Sequence, residues 1–378
     1  MDRPLVATPR HGRSCAGRAG RLGRAFAALV ACLPLTGCYL LHTAKGQLDL
    51  NAKRQPIARV VADPRTPPTL RAQLERVARI RDFATAELGL PDNGSYRSYA
   101  DVGRPYVLWN VFAAPEFSVD PKTWCFPVAG CVAYRGYFDE SAARRYGDSL
   151  RGRGYDVLVG GVPAYSTLGH FEDPVLNTWL GWSEPHLAGL VFHELTHQLL
   201  YVPGDSKFNE AFATVVETEG VRRWLEREGR APDLAGFAQR QSRYAEVAAV
   251  LVRGRDRLRA LYASALEPAP LREAKAAEFE RMREEYRALA QAWGDGGYER
   301  LFGPDLNNAS LLAVATYRQC VPGLERELEA VGRDLPRFYA RARELAALPR
   351  EQRRALLCGE GPVLVSAPAA APAHPSSR

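Results

Sequence analysis

The feature that most constrains this 378-residue chain is a pair of histidines four residues apart inside an apolar helical frame, followed by a turn and a second helix. In His193-Glu194-Leu195-Thr196-His197 both imidazoles fall on one helix face, with side chains about 5–6 Å apart. Leu187, Leu190, Val191, Leu195 and Leu199 recur at helical spacing, so this helix is expected to be buried. Ser183 is the expected N-cap, Pro185 sits in the first turn, and the helix is expected to run to about Tyr201. Pro203-Gly204-Asp205 reads as a turn, and a second helix is expected from Ser206 or Lys207 to about Glu228. A fold containing this chain must bury a tight helical hairpin.

Two imidazoles at this spacing can reach one metal ion at about 2.0–2.1 Å. Glu194 follows the first histidine directly, where a carboxylate stands beside the ion and can take a proton from water. A third ligand is available from the next helix, which opens Asn209-Glu210-Ala211-Phe212-Ala213-Thr214. His197 lies about one turn before the first helix ends and Glu210 about one turn after the second begins. In an antiparallel hairpin with axes about 8–10 Å apart the two face each other at one level. Glu217 shares that face but lies about 10 Å farther along the axis. It is expected to be a solvated carboxylate, or a partner to a ligand, rather than a ligand itself. The predicted set is therefore His193, His197 and Glu210 around Zn²⁺, which leaves a fourth position open.

Elsewhere the chain reads as α+β, with a small β-rich N-terminal part and a mainly helical C-terminal half. Thr66-Pro67-Pro68 opens a helix with Leu70, Leu74, Val77, Ile80 and Ala84 on one side. Pro91-Asp92-Asn93-Gly94 breaks the chain, and strands are expected within residues 106–112, 131–138 and 155–168. Helices are expected over 233–266, 271–293, 308–320 and 323–347. The stripe Phe279, Met282, Tyr286, Leu289 and Trp293 reads as core packing.

The amino terminus reads as an export signal. Arg10, Arg13, Arg18, Arg21 and Arg24 precede a short apolar run from Ala25 to Leu35, well under the roughly 20 residues that span a bilayer. Leu35-Thr36-Gly37-Cys38 resembles a bacterial lipobox, which makes Cys38 the expected lipidated first residue of the mature chain. The expected divisions are a signal peptide over 1–37, one catalytic domain over 38–358 and a disordered tail over 359–378. Tyr39, rather than Asp, follows the cysteine, which points to the outer membrane. Six arginines and one acid, Asp2, fall within 1–37, accounting for five of the seven net positive charges. The remainder has no basic stripe interleaved with aromatics, so nucleic acid is not an expected partner. Cys125, Cys131, Cys320 and Cys358 form an even set in an exported chain. Cys125–Cys131 is the expected bridge because Pro127 and Gly130 supply turn residues inside that loop. Pairing of Cys320 with Cys358 is left open.

The segment His193–His197 followed by Asn209-Glu210-Ala211-Phe212-Ala213-Thr214-Val215-Val216-Glu217 resembles the gluzincin metallopeptidases, particularly the aminopeptidase-N type. There the third ligand is the glutamate of an Asn-Glu-Gly-Phe-Ala segment. Over roughly residues 38–350 the chain is more similar to the Putative aminopeptidase family of bacterial lipoproteins. The matching segments include Trp124-Cys125-Phe126-Pro127, Tyr134-Arg135-Gly136-Tyr137-Phe138 and Ala164-Tyr165-Ser166-Thr167-Leu168-Gly169. The resemblance implies a zincin-like fold, a zinc site and a peptide substrate. Related enzymes take an oxyanion-stabilising tyrosine from a later helix, which makes Tyr317 a candidate catalytic residue beside Glu194, with His170 and His186 as alternatives. The Gly-x-Met-Glu-Asn segment that holds the substrate amine in aminopeptidase N has no match. Glu172 or Asp173 is the substitute to examine. Three functions follow: an aminopeptidase in the cell envelope, facing the periplasm; an envelope endopeptidase or amidase; and a non-catalytic, zinc-stabilised lipoprotein. Oligomeric state is not legible.

Overall fold

The computed structural model describes residues 39, 41–126, 130–169, 171–312 and 320–359. The expected signal peptide, Cys38, His170, Tyr317 and the tail beyond residue 359 lie outside these. The chain divides into two compact units, Met1–Asp49 and Leu50–Arg378. In the first, residues 41–49 are helical.

The second unit opens with β1 (Gln55–Pro56), α1 (Ile57–Ala62) and α2 (Pro68–Ala86), followed by β2 (Ser98–Ala100), β3 (Leu108–Pro115), β4 (Trp124–Phe126), β5 (Gly130–Val132) and β6 (Arg135–Tyr137). Next come α3 (Glu140–Arg151), β7 (Tyr155–Val162), β8 (Val175–Leu176) and α4 (Asn177–Leu180). Helices make up the rest: α5 (Glu184–Leu199), α6 (Ser206–Arg227), α7 (Ala231–Tyr262), α8 (Pro268–Trp293), α9 (Asn308–Leu312), α10 (Val321–Ala330), α11 (Leu335–Ala347) and α12 (Arg350–Leu357). The α+β reading holds, with small sheets first and helices after. None of the described helices is long and apolar enough to cross a membrane.

Three small sheets form among the described residues. In one, β2 lies between β1 and β8. In another, β3 lies between β6 and β7 and runs antiparallel to both, with Trp109 opposite Tyr137 on one side and Gly161 on the other. The third is the β4–β5 hairpin, in which Cys125 lies opposite Cys131 and the two are disulfide-bonded. A second disulfide joins Cys320, before α10, to Cys358, after α12.

Helix α3 was not foreseen, because its buried side is built from Ala143, Gly147 and Leu150 and carries little apolar signal. Gly147 is there because α3 packs close to β7. A Cβ at that position would stand 2.9 Å from Val159 Cγ2. Asp139 caps the helix by accepting from Ala142 N–H at 2.7 Å.

Helices α5 and α6 pack along each other within the main core, where Phe192, Phe208, Phe212, Val216 and Trp224 are buried together with Leu74, Val77, Ile80 and Phe83 of α2. A second core joins Val247, Leu251 and Leu258 of α7 to Phe279, Met282 and Tyr286 of α8, which places the aromatic stripe in packing as expected. One expected helix is corrected. Residues 323–347 form two helices, α10 and α11, broken where Gly332 and Arg333 adopt φ of 69° and 59°. Asp334 then caps α11 by accepting from Arg337 N–H at 2.8 Å. The short helix α12 was also not foreseen.

Candidate metal centre

The hairpin that carries the site is held at its turn by Asn209. Its Oδ1 accepts from Val202 N–H at 2.8 Å and its Nδ2 donates to Val202 O at 2.9 Å, so one side chain closes the Val202–Asp205 turn. Gly204 takes φ +78° within it, a left-handed value that glycine adopts freely. Asn209 is itself buried, and Glu210 is the next residue. The turn therefore sets the height at which Glu210 meets α5.

His193, His197 and Glu210 come together as one group, with a ligating atom from each within 4.8 Å of the others. His193 Nε2 lies 3.2 Å from His197 Nε2. Glu210 reaches them with Oε2 at 3.4 Å from His193 Nε2 and Oε1 at 3.7 Å from His197 Nε2. Donor atoms about 2.05 Å from a tetrahedral ion would be about 3.3 Å apart, so these separations fit a single ion. The donor chemistry fits as well: two buried imidazoles aim their Nε2 atoms at one point, and His197 Nδ1 has no hydrogen-bond partner among the described residues. Two neutral rings and a carboxylate are a common ligand set for a divalent cation.

Glu217 does not reach that point. Its side chain is 2 % exposed, and Oε2 accepts from His193 Nδ1–H at 3.0 Å, on the far side of the ring from Glu210. This hydrogen bond fixes the ring so that Nε2 is the free ligating atom. Gly189 leaves room for it, since a Cβ there would stand 3.0 Å from Glu217 Oε1. Of the two alternatives weighed for Glu217, the structure gives the partner of a histidine rather than a solvated carboxylate.

The charges are strongly coupled. Burial opposes protonation of His193, but its hydrogen bonds to Glu210 and Glu217 outweigh burial and hold the ring well above its ordinary pKa. His197 is driven down to about 4 by burial and by the charge on His193. The pair thus holds one proton in the absence of metal. Burial raises Glu210, yet hydrogen bonding and charge from His193 bring it below the ordinary carboxylate range. Glu194 is pushed up to about 7, first by burial, with His193 opposing and Glu210 adding to it. A dication held by the triad would draw that value back down.

The other candidates separate clearly. His186 shares a 2.6 Å hydrogen bond with Ser183 Oγ, and burial lowers its pKa. Ser183 therefore occupies the N-cap position of α5, but its hydroxyl serves His186 rather than a backbone N–H. Asp173 is 2 % exposed and takes hydrogen bonds from Thr167 N–H at 2.9 Å, Thr167 Oγ1 at 2.9 Å and Ser166 Oγ at 3.3 Å. Its carboxyl is not open to a substrate amine. Glu172 is exposed and pairs with Arg54 at 3.2 Å. Two side chains that sequence reasoning did not single out stand beside Glu194: Tyr96, buried in a loop before β2, and Ser166. The only signal for that loop in the sequence was the Pro91–Gly94 break.

Comparison with known proteins gives one match. A family model described as "Putative aminopeptidase" covers residues 38–357. No curated protein and no solved structure matches.

Proposed function

The chain belongs to the Putative aminopeptidase family, and on that premise we propose that it is a zinc-dependent peptidase that cleaves peptides at their amino termini. The observation that carries this reading is the convergence of His193 Nε2, His197 Nε2 and the Glu210 carboxylate, with Glu194 on the same helix. On this reading the fold is zincin-like, residues 38–358 act as one catalytic domain, and the three side chains hold Zn²⁺. Zinc, when bound, supplies a Lewis acid that acidifies a water molecule and polarises the scissile carbonyl.

Glu194 takes a proton from the attacking water and delivers it to the departing amine nitrogen. Glu217 holds the His193 ring in place throughout. Tyr317 remains the proposed donor to the oxyanion. Replacing Glu194 with Gln should leave zinc bound and lower turnover by about 10²–10⁴-fold. Unchanged turnover in that variant would remove Glu194 from the mechanism.

A second reading, an envelope endopeptidase or amidase, is favoured by one observation: neither Asp173 nor Glu172 offers a carboxylate free to bind a substrate amine. Free and N-acetylated forms of the same peptide separate the two readings, since an amine-dependent site loses the blocked substrate. We also propose export and lipidation at Cys38, with the protein facing the periplasm from the outer membrane. Mass spectrometry of the mature amino terminus tests this, and an unmodified Cys38 in a membrane fraction would refute it.

A further inference from the structure

Helix α6 begins without the cap its sequence offers. Asp205 stands at its N-cap position, where an aspartate normally accepts from a backbone N–H of the first turn, yet its side chain makes no such bond. Its Oδ2 instead accepts from Arg353 Nε at 2.9 Å and Arg353 Nη2 at 2.6 Å, across 148 residues of chain. Both side chains are buried. Arg353 Nη1 serves a different element: it donates to Ala346 O and Leu348 O at 2.9 Å each, carbonyls freed where α11 ends. The guanidinium carbon also stands 5.1 Å from the centre of the Phe208 ring, which stacks on Phe212. Helix α12, which carries Arg353, is itself held firmly. Leu357 is buried in the main core, its carbonyl lies so close to Gly323 of α10 that a Cβ there would meet it, and Cys358 is bonded to Cys320.

A buried ion pair adds little net stability over well-packed apolar side chains. What it does supply is a fixed geometry at the start of α6. Arg353 grips Asp205 and Phe208, Asn209 closes the turn onto Val202, and Glu210 follows with its carboxylate 3.4 Å from His193 Nε2 and 3.7 Å from His197 Nε2. Phe208 and Glu210 are two residues apart, about 200° around a helix, so the clamp and the metal-facing carboxylate lie on opposite sides of one turn. Metal–ligand distances matter to within about 0.2 Å, so a small drift of that turn reaches the ion.

We propose that Arg353 is a positioning residue for the metal centre: from α12 it clamps the first turn of α6 and sets where the Glu210 carboxylate meets the two imidazoles. This rests on the reading of Glu210 as a ligand. The test is zinc affinity by competition with a chelator, at a temperature where circular dichroism shows every variant folded, so that lost stability alone leaves the affinity unmoved. Arg353→Met should bind zinc about 10-fold more weakly, at the lower end for groups acting through a ligand; wild-type affinity overturns the proposal. Adding Asp205→Asn removes the stranded charge and returns stability without remaking the clamp, so affinity should stay low. Affinity that recovers together with stability would mean a merely structural role and overturns the proposal. In a Glu210→Ala background, which keeps both imidazoles, Arg353→Met should cost nothing further, because the group it acts through is gone; an equal loss there overturns the proposal too. Should Arg353→Met alone not fold, the double variant with Asp205→Asn is held to the same 10-fold loss against wild type. Wild-type zinc affinity in Glu210→Ala alone would instead overturn the ligand reading itself, and this proposal with it.

Discussion

Replacing Glu217 with Gln tests how the second helix supports the metal site without touching a ligand. The carboxylate is buried, accepts from His193 Nδ1–H at 3.0 Å, and has no room to turn away because α5 packs over it at Gly189. Gln fills the same volume but offers a neutral acceptor. A hydrogen bond involving a charged group contributes about 1.5–3 kcal/mol and a neutral one about 0.5–1.5 kcal/mol. The expected loss is therefore about 1–2 kcal/mol, or roughly 5–30-fold in zinc affinity, at the lower end of what such outer partners contribute. The assay is competition for zinc against a chromophoric chelator, run at neutral and at alkaline pH. Without metal, Glu217 helps His193 hold a proton, and zinc must displace it. Removing Glu217 relieves that competition, so the variant's deficit should be smaller at neutral pH than at alkaline pH. Zinc affinity equal to wild type at alkaline pH would refute the role assigned to this carboxylate.

Three further outcomes follow. The Glu219 carboxylate is fully buried among Arg222, Arg223 and Arg333; burial raises its pKa, but these hydrogen bonds prevail and bring it down to about 2 from 4.5. Its contribution to stability should be complete above about pH 4.5 and fade as pH falls toward 2; urea unfolding of wild type and Glu219→Gln at stepped pH should converge over that window. The Cys320–Cys358 bridge closes a separation of 38 residues and Cys125–Cys131 only 6, so on chain entropy losing the first should cost about 4 kcal/mol and the second about 2 kcal/mol, measured by denaturant unfolding of the paired serine variants. Arg353, 3 % exposed, donates to Asp205 Oδ2 at 2.9 and 2.6 Å and to the carbonyls of Ala346 and Leu348 at 2.9 Å each; Arg353→Met leaves the buried Asp205 only Arg354, at 3.8 Å, and should cost about 3 kcal/mol, with part of the loss recovered when Asp205→Asn is added.

Much of the metal hairpin was legible because its determinants are local. Two histidines at helical spacing, a Pro-Gly-Asp turn and an acid one turn into the next helix bring His193, His197 and Glu210 to one level. Choosing Glu210 over Glu217 needed only the rise of a helix. That Glu217 would turn back to His193 Nδ1 was not legible, because it depends on Gly189 admitting the carboxylate between the helices. Helix α3 escaped notice although Ala143, Gly147 and Leu150 recur at helical spacing, because two of the three are small residues that bury well against a sheet but add little apolar weight. The break between α10 and α11 was marked by Gly332, Asp334 and Pro336, but the apolar spacing continues across it. Tyr96 and Ser166 were illegible as neighbours of Glu194, since they come from loops about 100 and 30 residues away that Arg81, Gln198 and Asp173 tie down near α5.

X-ray diffraction from zinc-soaked crystals, recorded on both sides of the zinc absorption edge, tests the central claim most directly. One anomalous peak should lie about 2.0–2.2 Å from His193 Nε2, His197 Nε2 and a Glu210 oxygen, and it should vanish in His193→Ala. Zinc-saturated crystals with no peak at that point, or with the Glu210 carboxylate turned away from an ion held elsewhere, would contradict it.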